Sequence, residues 1–323
     1  MRALTWAGGT DVIVTDVPEP VPGTGQVLVE VAYAGLCGTD LHICSGEHPR
    51  ARPGQIIGHE IVGTVAQSAE GIAAGTAVVV DPLVACGACP TCLADRPQTC
   101  ERLRLIGIDF PGGAASHVAV DADRLIPVRG QANLRNLAFA EPLAVAVRAV
   151  RRSGLQDGQN VLVVGGGPIG VAIAAYARNR GAGRVVLAEP SPVRREFAAA
   201  LGITTVVDAT GLRAEVVFDA AAHSVVADLI TDVTAPGGTA VIVGVYGSPQ
   251  PFNLQAVTFN ELSVVGTRVY SRRDIAEATE LISSGRFDPE PFLTRTVELE
   301  EAPEAIVELR RGVGVKVLVR SSQ

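Results

Sequence analysis

The pattern of apolar and polar positions changes character part-way along the chain. In the first third, short β-branched runs stand between glycines and prolines, as in Val27–Val31, Ile61–Val65 and Ala77–Val80. Runs of this length, bounded by turn-forming residues, predict short β-strands. Their close spacing favours a small barrel-like or sandwich-like β unit for this part of the chain.

From about Leu143 the pattern predicts alternating strands and helices. LAVAVRAVRRSG has helical spacing and stops at Gly154, and a buried-strand run follows at Val161–Val164. A glycine turn, an alanine-rich helix to about Arg180 and a strand at Val185–Ala188 come next. Strand, turn, helix and strand at this length predict a βαβ unit within a doubly wound parallel sheet, the Rossmann type of α/β fold.

The remaining segments continue this pattern and then leave it. VVFDA, AVIVGVY and LSVVG predict further strands, whereas the stretch from Gly202 to Asp219 is too short for a full helix between two strands. The tail predicts a helix at Asp274–Ser283 and a final strand at Val315–Val319. We expect this tail to return to the first, mainly β domain.

Composition and charge exclude several classes of protein. The 323 residues predict about two domains, and 47% hydrophobic content indicates a globular fold with a substantial core. The net charge of −7 argues against nucleic acid or an anionic membrane as the partner. We see no apolar run of the ~20 residues that span a bilayer, and no signal peptide. We therefore expect a soluble, cytoplasmic protein.

Four of the six cysteines lie close together, in the segment CGACPTCLADRPQTC. Clustering of this kind in a chain without a signal peptide indicates metal ligation rather than disulfides. Four thiolates can surround one tetrahedral zinc ion and leave no open position, which is typical of a structural site. An iron–sulfur cluster is the alternative, although the seven-residue last gap favours zinc. The predicted ligands are Cys86, Cys89, Cys92 and Cys100.

The segment VLVVGGGPIG carries a dinucleotide-binding fingerprint, G-x-G-x-x-G, at Gly165, Gly167 and Gly170. A strand precedes it, a helix follows, and Glu189 ends the next strand, which is the context that gives the motif its meaning. The first glycine permits the tight turn, the second lets the backbone approach a pyrophosphate, and the third keeps helix and strand close. The helix N-terminus then offers free N–H groups to phosphate.

The acidic residue favours NAD over NADP. Glu189 can accept hydrogen bonds from both hydroxyls of the adenosine ribose and would repel a 2′-phosphate. Arg194 and Arg195 weaken this preference, since either can turn towards a 2′-phosphate. A glycine turn that binds no nucleotide is the alternative interpretation.

A second metal site is predicted from residues that are far apart in the sequence. Cys37 lies in GLCGTDLH, His59 and Glu60 lie in IIGHEIVG, and Glu141 lies in AFAEPLAVA. A thiolate, an imidazole and a carboxylate form a three-ligand set that leaves one position for water or substrate. Zinc in such a site acts as a Lewis acid. Each residue also has a purely structural interpretation.

These motifs occur in the order and approximate spacing of the zinc-dependent medium-chain dehydrogenases/reductases, which the chain resembles over essentially its whole length. Glu141 in AEPLA resembles the sorbitol, threonine and butanediol dehydrogenase branch. The resemblance implies a catalytic domain formed by residues 1–145 and 278–323, with a GroES-like β unit and a zinc lobe at 86–100. It places a Rossmann domain at residues 146–277.

The resemblance also implies roles for individual residues. Cys37 and His59 would bind the catalytic zinc, and Glu60 or Glu141 would complete the set, directly or through water. Thr39 would contact the substrate alcohol, and His42 would relay its proton outward, a task that suits a group titrating near neutrality. Two zinc ions per chain are then expected. The cofactor-binding set would comprise Gly165, Gly167, Pro168, Ile169, Gly170, Glu189, Arg194, Val243, Val245 and Thr267.

The expected function is hydride transfer between a secondary alcohol and NAD(P), in a homodimer or homotetramer. The substrate would be a polyol, sugar, cyclitol, diol or amino alcohol. The chain departs from its relatives at GGAASHV, where an aromatic residue and Glu-Tyr are common, and at Val269, where sorbitol dehydrogenase carries Arg before the Tyr that Tyr270 matches. The alternatives are a zinc-independent NADPH enone or quinone reductase and a non-catalytic nucleotide-binding protein.

Overall fold

The computed structural model describes residues 1–130, 133–312 and 314–321. It divides into two compact units, which we describe separately. The first unit combines Met1–Glu141 with Ser271–Gln323, and the second comprises Pro142–Tyr270. The predicted fold class, a Rossmann sheet plus a mainly β unit formed by both chain ends, is confirmed.

The first unit begins with short strands and three short helices. In chain order these are β1 (Arg2–Gly8), β2 (Asp11–Asp16), β3 (Gln26–Leu36), α1 (Gly38–Cys44), β4 (Gln55–Ile56), β5 (Glu60–Val65), β6 (Ala77–Val80), β7 (Leu83–Val84), α2 (Pro90–Leu93), β8 (Arg104–Leu105), β9 (His117–Asp121), β10 (Leu125–Pro127) and α3 (Leu134–Leu137). Single 3₁₀ turns lie at Pro97–Thr99 and Ala122–Arg124.

The second unit is a six-stranded, entirely parallel sheet flanked by helices. The boundary between the units falls within helix α4 (Ala140–Ser153). The elements that follow α4 in the second unit are β11 (Val161–Val164), α5 (Pro168–Asn179), β12 (Val185–Ala188), α6 (Pro192–Ala200), β13 (Thr204–Val206), β14 (Ala214–Asp219), α7 (Ser224–Val233), β15 (Thr234–Ile242), α8 (Leu254–Phe259) and β16 (Ser263–Gly266).

The strand order β13-β12-β11-β14-β15-β16 is that of a dinucleotide-binding sheet, with its reversal point beside β11. The predicted strands at Val161–Val164 and Val185–Ala188 are confirmed, and every residue in both is buried. As expected, no helix joins β13 to β14; residues 207–213 form turns and irregular backbone. Gly154, with φ of +68°, follows the end of α4, as its position in the sequence predicted.

The chain then returns to the first unit. The last elements are α9 (Arg272–Ser283), β17 (Leu293–Glu298), α10 (Ala302–Arg310) and β18 (Lys316–Arg320), with 3₁₀ turns at Glu290–Phe292 and Leu299–Glu301. Strand β18 pairs with β3, which also pairs with β5 and β9 in a seven-stranded sheet. Strands β2, β1 and β4 form a second sheet, and β7 pairs with β8. The predicted return of the tail is confirmed.

The boundaries of the units differ from those expected. Residues 142–145 belong to the second unit, and residues 271–277 belong to the first unit rather than to the Rossmann domain. The reason lies in α9, which starts with a capping box between Ser271 and Asp274 and packs against α3. The capping box shows where α9 begins, and its packing against α3, an element of the first unit, explains why residues 271–277 belong there. No helix in the described part of the chain is long and apolar enough to cross a membrane.

Candidate active site

Three of the predicted metal ligands come together at the ends of neighbouring strands. Cys37 follows the last residue of β3 and caps helix α1, while His59 and Glu60 lie at the start of β5. Because β3 and β5 are antiparallel, with Gly35 opposite Glu60, the end of one meets the beginning of the other. One ligand atom from each of Cys37, His59 and Glu60 lies within 4.8 Å of the other two.

His59 is oriented by a buried carboxylate that the sequence analysis missed. Asp40, fully buried, places Oδ2 3.6 Å from Nδ1 of His59. Asp40 is itself fixed, because it accepts hydrogen bonds from the backbone N–H groups of Cys37 (2.8 Å) and Gly58 (3.1 Å). Burial alone would lower the pKa of His59, but the negative charge of Asp40 raises it well above its usual value. At 3.6 Å the contact is not a hydrogen bond in the described residues, but the charge of Asp40 lies on the Nδ1 side of the ring, which leaves Nε2 for a metal.

Glu60 forms a buried ion pair with Lys316 on β18. Nζ of Lys316 lies 2.5 Å from Oε1 of Glu60 and also donates to the Leu36 carbonyl at 3.2 Å, and both charged side chains are at most 2% exposed. Burial would lower the pKa of Lys316, but the charges of Glu60 and Cys37 raise it. The second oxygen, Oε2, is buried and has no hydrogen-bond partner in the described residues.

The backbone opposite Glu60 makes room for this carboxylate. A Cβ at Gly35 would lie only 1.9 Å from Oε2 of Glu60, so that a side chain there is incompatible with the observed position. A thiolate, an imidazole nitrogen and an orphaned carboxylate oxygen, all close together, form the donor set that zinc prefers. The residues present therefore fit a zinc ion with an open coordination position.

The four-cysteine lobe is assembled as a second donor set. Sγ of Cys89 lies 3.5 Å from that of Cys92 and 3.9 Å from that of Cys100, and Cys86 lies 3.9 Å from Cys92. A hydrogen bond with the Thr91 hydroxyl and nearby backbone N–H groups lower the pKa of Cys89 to about 5. Burial raises the pKa of Cys92 to about 12, so the observation that supports a metal is the geometry: four sulfurs within one small cluster can close the coordination of a cation.

The glycine-rich turn after β11 shows why two of its glycines are required. Gly165 has φ of +107°, and a Cβ at Gly170 would lie 1.9 Å from the Gly165 carbonyl oxygen. Gly167 differs, because a Cβ there would meet no atom of the described residues within 4 Å. It caps helix α5 with no side-chain hydrogen bond, and Pro168 and Ile169 follow in the first turn. The space beside Gly167 and the free N–H groups suit a phosphate.

Glu189 lies at the end of β12, beside the glycine turn. Its Oε2 accepts a hydrogen bond from the Gly166 N–H (2.7 Å), and its Oε1 accepts one from Ser191 (2.9 Å). The two arginines that follow differ in their contacts. Arg195 donates to the backbone carbonyls of residues 189 and 190, both at 2.8 Å, whereas Nη1 of Arg194 lies 3.7 Å from Oε2 of Glu189.

Comparison with known proteins agrees with this arrangement. Residues 23–130 match the family model of the alcohol dehydrogenase GroES-like domain, and residues 168–284 match that of the zinc-binding dehydrogenases. A 2-dehydro-3-deoxy-L-galactonate 5-dehydrogenase from Pseudoalteromonas atlantica is 37% identical over 99% of this chain and 98% of its own. The chain belongs to the zinc-type medium-chain alcohol dehydrogenase family.

Two further relatives support this assignment. An L-galactonate-5-dehydrogenase from Escherichia coli K12 is 32% identical, covering 85% of each chain. The crystal structure of a zinc-binding dehydrogenase from Sinorhizobium meliloti 1021 bound to NADP superposes with a TM-score of 0.92 at 32% identity, covering 99% of this chain and 98% of the other. Members of this family are oxidoreductases that use zinc and a nicotinamide cofactor on secondary alcohols.

The two predicted proton-transfer residues of this dehydrogenase lie on α1. Oγ1 of Thr39 is 4.0 Å from Sγ of Cys37, so its hydroxyl is beside the candidate metal site. His42 lies about one turn further on, and its side chain is 68% exposed, with Nδ1 2.9 Å from Oε2 of Glu47. The hydrogen bond from His42 lowers the pKa of Glu47.

Glu141 lies close to the cluster but is not among its clustered donor atoms. In the described residues the group that can hold a metal consists of Cys37, His59 and Glu60. Glu141 is buried in the first turn of α4, and its charge contributes to the raised pKa of Lys316. Direct binding of a metal by Glu141 stays a prediction.

The other predicted cofactor residues follow strands at the carboxyl edge of the parallel sheet. Val243 and Val245 come after β15, and the Val245 side chain is 92% exposed. Thr267 comes after β16, and its buried Oγ1 has no hydrogen-bond partner in the described residues. An exposed valine and an orphaned hydroxyl at this edge are consistent with a cofactor site.

The structure gives the burial and contacts of the residues that depart from the family pattern. Ala114 is fully buried in the core of the first unit, and Ser116 lies next to His117, whose Nδ1 is 3.1 Å from the Ser116 hydroxyl. Tyr270 is fully buried, and Val269 before it has φ of +39°, an unusual conformation for a β-branched residue.

Sequence reasoning missed three residues that surround the metal cluster. Asp40 had a usable signal, because it stands three positions after Cys37, where a side chain can return to the backbone N–H of the helix cap. Gly35 and Lys316 had none, because their roles depend on the pairing of β3 with β5 and β18.

Proposed function

We propose that this protein is an NAD-preferring dehydrogenase that oxidises a secondary alcohol of a sugar acid or polyol to the ketone and carries two zinc ions per chain. The observation that carries the proposal is the clustering of Cys37, His59 and Glu60 within 4.8 Å, in a chain that also has a complete dinucleotide fingerprint. The second zinc belongs to the four-cysteine lobe and has a structural role.

Cys37, His59 and Glu60 would hold the catalytic zinc, and Glu141 would act beside them. When bound, zinc supplies Lewis acidity that favours loss of the alcohol proton, and the nicotinamide accepts the hydride. The Thr39 hydroxyl would accept the proton of the substrate alcohol at Oγ1 while it passes its own proton on, through the nicotinamide ribose, to His42. His42 carries it onward to solvent, with Nδ1 held by the Glu47 carboxylate, so that Nε2 is the nitrogen that exchanges protons.

The proposed preference for NAD depends on Glu189. Its carboxylate is fixed beside the fingerprint turn by two backbone N–H groups and keeps acceptor capacity for ribose hydroxyls. A 2′-phosphate would meet this fixed negative charge. Arg195 is held by two backbone carbonyls, which leaves Arg194 as the arginine able to turn towards a phosphate. The NADP found in the Sinorhizobium relative makes NADP the cofactor to test against.

The substrate class is proposed from the relatives. Two of them are named for dehydrogenation at position 5 of a galactonate, a six-carbon hydroxy acid. Sugar acids of this type come first in a substrate panel, followed by polyols and vicinal diols. The proposed setting is the cytoplasm, where thiolate ligands stay reduced.

We also propose a homodimer or homotetramer. The edge strand β16 is the last of the six-stranded sheet, and Val264 on it is 42% exposed, so a second copy can extend the sheet there. Sedimentation of the wild type and of Val264→Lys tests this proposal, and a lysine variant that stays in the same oligomer would contradict pairing at this edge.

The central experiment combines metal analysis with turnover. The wild type is expected to hold two zinc ions and to reduce NAD with a sugar acid or polyol. Cys37→Ser should lose one zinc ion, and its turnover should fall at least about 100-fold, since the metal contributes several kcal/mol to catalysis. Cys44→Ala is the matched control, because Cys44 is a buried cysteine outside the cluster, at the other end of the helix that Cys37 caps. Undiminished turnover in Cys37→Ser would refute the proposal.

A further inference from the structure

Lys316 is a buried cation in contact with the candidate metal site, and the proton path described above does not use it. Two contacts fix its ammonium group: Oε1 of Glu60 and the carbonyl oxygen of Leu36, the residue before Cys37. Only 2% of the side chain is exposed, so no solvent competes for these contacts. The ammonium group is thus held between Glu60, a candidate metal ligand, and Leu36, which precedes the ligand Cys37. A charge in this position influences how these ligands are placed.

In the Glu60–Lys316 ion pair, the two carboxylate oxygens of Glu60 have different surroundings. Lys316 occupies Oε1, while Oε2 is buried without a hydrogen-bond partner in the described chain. Gly35 leaves the space in which Oε2 lies, since a Cβ there would be 1.9 Å away. In this position Glu60 presents a single free oxygen to a metal.

The charges of the site lead to the same conclusion. The thiolate of Cys37 and the carboxylates of Glu60 and Glu141 supply three negative charges near Lys316. Asp40 adds a fourth negative charge beside the histidine of the cluster. A zinc ion and one ammonium group offset three of the four. Without Lys316 the centre would carry one more negative charge, which would both tighten the binding of zinc and weaken its pull on an alcohol proton.

We propose that Lys316 is a positioning residue that restrains Glu60 to one-oxygen contact with the catalytic zinc and offsets one negative charge of the centre. This inference rests on the proposed function, because it assumes zinc at the site of Cys37, His59 and Glu60. Lys316 acts through Glu60 and does not contact the substrate. In the metal-free protein the same ion pair keeps the buried carboxylate compensated.

The test measures metal binding rather than activity. In Lys316→Met, Glu60 is free to turn both oxygens to the metal, so a chelator should remove the catalytic zinc at least about tenfold more slowly than from the wild type. With cobalt(II) in place of zinc, the visible absorption should weaken, because higher coordination gives weaker bands than four-coordinate geometry. Lys316→Arg should restore the wild-type rate and spectrum.

Glu60→Gln provides the second background. If Lys316 acts through Glu60, adding Lys316→Met to Glu60→Gln should leave the cobalt spectrum of the single variant unchanged. The double variant removes both charges of the buried ion pair, so it can be measured if Lys316→Met alone does not fold. Three results would each overturn the inference. Lys316→Met could release zinc to the chelator at the wild-type rate with an unchanged cobalt spectrum, or it could lose zinc faster than the wild type. The third result is a cobalt spectrum of the double variant that differs from that of Glu60→Gln.

These outcomes differ from failure of the proposed function. A wild-type protein that binds only the structural zinc, or that reduces no cofactor with any alcohol, would remove the premise. A wild type with two zinc ions and alcohol-dependent NAD reduction, combined with an inert Lys316→Met substitution, would overturn the role of Lys316 alone.

Discussion

Alanine at Gly170 is expected to destabilise the second unit, because its methyl group has no space. The Cβ would lie 1.9 Å from the Gly165 carbonyl oxygen, whereas a carbon–oxygen contact needs about 3.3 Å, so that α5 and the turn must separate by about 1.4 Å. The obstacle is backbone, so overpacking should cost about 3 kcal/mol. The better helix propensity of alanine returns about 1 kcal/mol, which leaves a net loss of about 2 kcal/mol.

Alanine at Gly167 should leave folding intact and impair cofactor binding. The backbone there, with φ of −68° and ψ of 174°, is open to any residue, and no atom of the described residues lies within 4 Å of the added Cβ. Loss of a good cap costs about 1 kcal/mol, offset by a similar gain from a less flexible unfolded chain. The methyl group would occupy the approach of the pyrophosphate, so the dissociation constant for NADH should rise at least about tenfold.

Denaturation followed by circular dichroism measures the first effect, since the single tryptophan, Trp6, lies in the other unit and reports poorly on this one. Titration calorimetry with NADH measures the second. The two variants serve as controls for each other. A Gly170→Ala protein as stable as the wild type would refute the steric argument, and unchanged NADH affinity in Gly167→Ala would refute the placement of the pyrophosphate.

Three further substitutions test single contacts. In the wild type, two backbone N–H groups donate to the Asp40 carboxylate, and Asp40→Asn would place an amide NH2 against one of them. The variant should lose about 1–3 kcal/mol of stability and bind zinc about 10–100-fold more weakly. Zinc affinity equal to that of the wild type would contradict the orienting role of Asp40. Glu189→Ser should raise the KM for NAD and improve the NADP-to-NAD ratio of kcat/KM at least about tenfold; an unchanged ratio would exclude Glu189 as the discriminating charge. Cys89→Ser should remove one zinc ion and lower the unfolding temperature, and retention of both ions would contradict the four-sulfur site.

The sequence alone was sufficient to predict the first two buried strands of the Rossmann sheet, whereas the predicted strand AVIVGVY matches β15 only as far as Ile242. Val161–Val164 and Val185–Ala188 are continuous apolar runs because parallel strands are covered on both faces, and runs of this kind are easily recognised. The absence of a helix between β13 and β14 was also predictable, because seven residues, 207–213, cannot form the usual crossover helix. Local length and composition carried all of this information.

The surroundings of the metal cluster were not predictable in the same way. Lys316 and Glu60 are 256 residues apart, and nothing local distinguishes a lysine at the start of a strand as a buried ion-pair partner. The first residues of α9 were assigned to the wrong unit for a similar reason, since their packing against α3 is a tertiary contact. Propensity and periodicity report on neighbours along the chain, whereas these features depend on pairing between distant segments.

The candidate active site therefore depends on the register of three strands. The β3–β5 register sets Gly35 opposite Glu60, and the β3–β18 register sets Val317 opposite Leu36, which brings the preceding Lys316 to the Leu36 carbonyl. A slip of one residue in either pairing would turn Glu60 or Lys316 to the other face of the sheet. The final strand is thus part of the metal site although it follows the whole Rossmann unit in sequence. For this register to form, one unit must contain both chain ends. Because the nucleotide-binding unit is inserted between them, Lys316, the charge partner of Glu60, comes from the segment that follows that unit in sequence.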